Sequence, residues 1–121
     1  MAFRVVKNRQ GWLEKNWTEL KELEKCNNGY IQVYRRQNDS FDIIIYGKGK
    51  YKRYKLHLRC SWKKPSIPPQ FVLINKYEIE KINHPHLTSL YSCLKIPWTP
   101  NTPLSFIIDA IKNVWWRPAA E

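Results

Sequence analysis

Along GWLEKNWTELKELEK, Leu13, Trp17, Leu20 and Leu23 recur at the spacing of one helical face, with Glu and Lys between them. Asn27-Asn28-Gly29 follows as a stop signal, so the pattern predicts an amphipathic helix over residues 10–26. The period then changes to two. In Tyr30–Arg35, Ile31 and Val33 alternate with Gln32; in Phe41–Tyr46, Phe41, Ile43 and Ile45 share a face. In Tyr51–Cys60, Tyr54, Leu56, Leu58 and Cys60 alternate with Lys55, His57 and Arg59, and Phe71–Ile74 is a short apolar run. These are four expected strands, separated by turn-forming Asn38-Asp39-Ser40 and Gly47-Lys48-Gly49.

Helical spacing returns in TPLSFIIDAIKNVWW, where Leu104, Ile107, Ile108, Ile111, Val114 and Trp115 form a wide apolar stripe. Thr102 fits the cap position, Pro103 the first helical position, and Pro118 the end. Between the fourth strand and this helix lie about 27 residues of weak periodicity, long enough for a functional segment. The expected architecture is α+β: an N-terminal helix, a four-stranded antiparallel meander, a long irregular segment and a last helix, in a single domain over 1–121.

Composition narrows the function classes. A hydrophobic fraction of 43% supports a core, and no stretch approaches the length of a membrane span. The N-terminal MAFRVVKNRQ lacks the pattern of a secretory signal. Three cysteines, Cys26, Cys60 and Cys93, read as reduced thiols, and a cytoplasmic location is expected. The net charge of +11 favours an acidic partner: nucleic acid, an acidic protein surface or anionic lipid. Trp12, Trp17, Trp115 and Trp116 read as core residues.

The chemistry-bearing residues concentrate in HPHLTSLYSCLKIPWTP, residues 84–100. Cys93 has the basic Lys95 and two histidines nearby in sequence, and a neighbouring positive charge is expected to lower its pKa. Cys26 and Cys60 read as structural. His57-x-x-Cys60 and His84-x-His86 with Cys93 lack the spacing of common zinc modules, so no metal or other cofactor is expected. The run GKGKYKRYKLHLRCSWKKP interleaves cations with aromatic residues, a pattern suited to a solvated strand face, an acidic protein or nucleic acid.

Four patterns occur in order: Pro65-x-x-Pro68-Pro69 before a strand, His84-Pro85-His86, Cys93-Leu94, and Trp98-x-Pro100 before a proline-started helix. In this order the chain resembles the ubiquitin-conjugating enzyme family over nearly its whole length. The resemblance implies that Cys93 accepts a protein C-terminal carboxyl group as a thioester. It implies that His84, Pro85, Leu94, Trp98, Pro100, Pro65, Pro68 and Pro69 shape the site. The N-terminal helix would help dock an activating enzyme, with Arg9, Lys15 and Lys21 as exposed candidates.

His86 stands where the family has asparagine, and the Cys-to-Trp interval is shorter than in eukaryotic members. The two C-terminal helices of those members are expected to be lacking. These departures are similar to minimal bacterial members, found in antiphage cyclic-oligonucleotide signalling and in bacterial ubiquitin-like conjugation operons. The implied donor is a ubiquitin-like protein or, in the former setting, a cGAS-like nucleotidyltransferase through its C-terminus. His86 could hydrogen-bond to a tetrahedral oxyanion or accept a proton from the attacking nucleophile, while His84 is expected to hold the loop through a backbone hydrogen bond. Two other readings stay open: a non-catalytic variant that binds a ubiquitin-like protein, and a nucleic-acid-binding module using the basic sheet face.

Overall fold

In the computed structural model, which describes residues 9–37, 39–64, 66–95, 99 and 101–121, the alternating runs form one antiparallel sheet. Its strands are β1 (Ile31–Arg35), β2 (Phe41–Tyr46), β3 (Lys55–Ser61) and β4 (Gln70–Leu73), in the spatial order β1-β2-β3-β4. The register places like with like. Ile31 is opposite Ile45 and Val33 opposite Ile43; Leu56, Leu58 and Cys60 then face Ile45, Ile43 and Phe41. Since side chains alternate between faces, this pairing collects Ile31, Val33, Phe41, Ile43, Ile45, Leu56, Leu58 and Cys60 on one face and leaves Ile44 on the other.

That face is covered by helix α1 (Arg9–Cys26) and helix α4 (Leu104–Ala120). The fold is thus α+β, with an N-terminal helix, four antiparallel strands and C-terminal helices. Helix α4 buries Leu104, Ile107, Ile108, Ile111, Val114 and Trp115, the stripe read from the sequence. Helix α1 is rotated relative to expectation: Trp12, Leu13, Asn16 and Leu20 are buried, whereas Trp17 and Leu23 are half-buried at the margin.

Asn16 explains the rotation. Its Nδ2 donates to Trp12 O (2.9 Å), and its Oδ1 accepts the Leu104 N–H (2.9 Å). The first N–H groups of a helix have no partner within it. Here one of them is satisfied by a side chain from the first helix, not by Thr102, as expected. Pro103 sits at the cap position instead of the first helical position. Pro118 also lies inside α4, which continues to Ala120, and does not end it.

The largest departure lies between β4 and α4. The segment expected to be irregular contains two short helices, α2 (Lys76–Lys81) and α3 (Leu87–Leu94). Asn83, with φ 52°, takes the left-handed conformation that ends α2. The turn between β2 and β3 is tightened by a 3-10 turn, Gly49–Tyr51, which packs on α4. Gly47 is required there because a Cβ would lie 2.1 Å from Tyr51 O. Among the described residues no helix is long and apolar enough to cross a membrane.

Candidate functional site around Cys93

The three thiols occupy different environments, and all are free. Cys60 lies on the core face of β3, wholly buried, and burial pushes its thiol well above the ordinary range. Cys26, read as a structural core residue, is exposed at the last position of α1. Cys93 is half-buried in the final turn of α3, packed against the core beside Leu94.

Burial also raises the Cys93 thiol above its usual value, and the positive charge of Arg117 on α4 opposes that effect without cancelling it. The expected lowering by Lys95 is therefore reversed, because desolvation disfavours the thiolate more than the surrounding cations favour it. The cation that acts on the thiol comes from the opposing helix. No sequence spacing connects residues 93 and 117, so this neighbour becomes visible only through the packing of α3 on α4.

The two histidines lie just before α3. His84 is 4% exposed, its ring stacked on Trp115 at 5.0 Å and tilted against Tyr51 at 5.0 Å. Its Nδ1 accepts the His86 N–H at 3.1 Å, so the ring proton belongs on Nε2, which donates to Trp115 O at 3.0 Å. Both ring nitrogens are thus used in the neutral form. Burial lowers the pKa of His84, as does the charge of His86, against the opposing effects of the Trp115 carbonyl and Glu121.

His86 occupies the N-cap position of α3, and its Nε2 lies 2.6 Å from Glu121 Oε1. Cys93 is the seventh residue after it. On a helix this puts the two on one face but about 10 Å apart along the axis. The structure therefore separates the pair that sequence reasoning joins, and pins His86 to the end of α4.

The other expected site residues are dispersed. Pro85 is exposed before α3, and Leu94 packs half-buried at its end. Pro69 is buried, whereas Pro68 is exposed and lines a cavity of about 230 Å³ with Ser61, Lys63, Ile67 and Gln70; Cys93 is not among its walls. Pro65, Trp98 and Pro100 lie outside the described residues.

On α1, Lys15 is exposed, and Lys21 pairs with Glu24 at 2.5 Å. Arg9, expected to be exposed, is half-buried: its Nε donates to Trp62 O at 2.9 Å, and it pairs with Asp39 at 3.6 Å. His57 bonds to Asp42 on the sheet face opposite buried Cys60. Among the described residues no three His, Cys, Asp or Glu side chains converge as a metal site.

Comparison with protein-family models, with curated proteins and with solved structures finds no match to this chain.

Proposed function

We propose that the chain is a small ubiquitin-conjugating-like acyltransferase with Cys93 as the acceptor. The reading is carried by the setting of Cys93, which is partly accessible and placed beside a cation, Arg117, whereas Cys60 is wholly buried. It is supported by the order of N-terminal helix, antiparallel sheet, cysteine-bearing segment and closing helix. Cys93 Sγ bonds to the carbonyl carbon of a C-terminal acyl group delivered as a thioester by an activating enzyme. The bond to the activating enzyme's sulfur breaks, and the Cys93 proton goes to that sulfur. An amine or another nucleophile then attacks the same carbon, the bond from that carbon to Cys93 Sγ breaks, and the nucleophile's proton returns Cys93 to a thiol. The donor is a ubiquitin-like protein or a nucleotidyltransferase C-terminus, in a bacterial defence or conjugation setting.

In this reading His84 and His86 are positioning residues. They fix the start of α3 against Trp115 and Glu121, and so the direction in which α3 presents Cys93. Because burial raises the thiol, loading should accelerate as pH rises above neutrality.

The test is incubation with an activating enzyme and each cognate donor, followed by intact mass under non-reducing conditions. A thiol-labile adduct is expected on the wild type, a thiol-resistant ester on Cys93→Ser, and none on Cys93→Ala. A second reading, a binding-only member of the same family, is favoured by the raised thiol and by the separation of His86 from Cys93. Donor binding without any adduct would establish it.

A further inference from the structure

We infer that the end of the molecule formed by the β2–β3 turn, α2 and the last turns of α4 is a docking surface for single-stranded nucleic acid. Two cavities flank the 3-10 turn. One, of about 540 Å³, is lined by Lys48 from the turn and by Asn113, Trp116 and Arg117 from α4. The other, of about 500 Å³, is lined by Lys50, Tyr51 and Tyr54 from the turn and by Glu78 and Lys81 from α2. Lys52 and Arg53 project, exposed, from the turn between them. Of the residues lining the two cavities, Glu78 is the one carboxylate.

On this surface Lys76 and Lys112 pair with Glu80 and Asp109, but most of the cations make no ion pair. Among the described residues, no ion pair involves Lys48, Lys50, Lys52, Arg53, Lys81 or Arg117, whereas Arg9, Arg35, Arg36 and Arg59 each pair with a carboxylate. Several lie over aromatic rings instead. Lys48 Nζ is 3.9 Å from the centre of Trp116 and 4.5 Å from that of Tyr30; Lys81 Nζ is 4.3 Å from that of Tyr77. Tyr77 is 75% exposed and Tyr30 40%.

A cation over an exposed ring, repeated on both sides of a basic turn, offers a phosphate contact and a stacking platform together. An acidic peptide would use the charges but not the rings. A duplex hides its bases from them. The sheet face is less suited, because there Asp42 neutralises Arg36 and Arg59.

The experiment is fluorescence anisotropy of a labelled oligo-dT against the intact protein across a salt series. Micromolar binding is expected, weakening as log salt rises with a slope of about −3 to −4, for roughly five phosphate contacts on a single strand. Lys50→Glu/Lys52→Glu should weaken binding about 10-fold or more, and Tyr77→Ala about 5-fold or more. Lys63→Glu/Lys64→Glu, the same charge change at the opposite end of the sheet, should alter it less than about 2-fold. Cys93→Ser should bind as wild type, so this result is separate from the fate of the acyltransferase reading. Equal losses from both charge reversals would overturn the surface. So would duplex binding at least as tight as single strand, or full competition by polyglutamate with no effect of Tyr77→Ala.

Discussion

The arginines at one end of the sheet and the lysines of the turn at the other end are held in different ways. At the end holding the β1–β2 turn, Arg9 and Arg35 share Asp39, and Arg35 also reaches Glu14 at 2.7 Å. Nearby on the outer sheet face, Asp42 receives Arg59 at 2.8 Å, Arg36 at 3.2 Å and His57 at 3.2 Å. In the β2–β3 turn Lys50 and Lys52 are exposed and Lys48 lies over the Trp116 ring. The arginine charges at the first end are tied into the structure, whereas the charges of the turn at the second face outward, as do those of Lys63 and Lys64.

The comparison can be broken most severely at Asp42, which is 7% exposed. Asp42→Ala leaves two arginines and a histidine clustered without their acceptor, and should cost about 2–3 kcal/mol in urea unfolding. Burial alone would raise this carboxyl, but hydrogen bonds from Arg59 and His57, with the Arg59 charge, hold it below the usual range. Its contribution is complete above the unfolded-state value of about 4 and is lost as pH falls through the lower folded value. Asp42→Asn should abolish that acid-range loss.

At the other end the sensitive group is His84. His84→Ala, which leaves the His86 N–H and the Trp115 carbonyl without their partner, should cost about 2 kcal/mol. Its folded pKa is lowered, so its contribution is present above about 6.5, the unfolded value, and declines as pH falls toward the folded one. His86 and Glu121 face it, so the clean comparison is wild type against His84→Gln at pH 7.5 and 5.5. The wild type should lose more stability across that interval. The two ends are thus expected to weaken in different pH windows.

Between the ends, Asn16→Ala should cost about 1–2 kcal/mol by thermal or urea unfolding, the range of a lost helix cap. The smallest effect sharpens the contrast: Lys50→Glu/Lys52→Glu should change stability by less than about 0.5 kcal/mol, because exposed charges without partners hold nothing together. Such a variant that failed to fold would show the basic turn to be structural after all.

The sheet was legible because β1, β2 and β3 announce themselves by alternation and β4 as a short apolar run, and β2 matches its expected span of Phe41–Tyr46. The buried face of α4 was equally legible, since a single stripe from Leu104 to Trp115 admits one orientation. Helix α3 also carries a helical stripe, Leu87, Leu90, Tyr91 and Leu94, but the adjoining His-Pro-His and Ile-Pro make the region read as loop. Asn16 escaped notice because a polar residue on an apolar face ordinarily weakens a helix assignment. Its acceptor role appears only when α4 is in place. In the candidate site, Cys93 stands out by sequence, whereas Arg117 and Glu121 reach the site only through helix packing.

The bond from Leu104 N–H to Asn16 spans 88 residues. Closing a free loop of that length costs on the order of 4 kcal/mol in chain entropy, more than one hydrogen bond returns. The bond therefore cannot nucleate folding. It is expected to form late, after the meander has drawn α1 and α4 together. Removing it should speed unfolding and leave the folding rate nearly unchanged, so that Asn16 acts as a latch on the finished molecule.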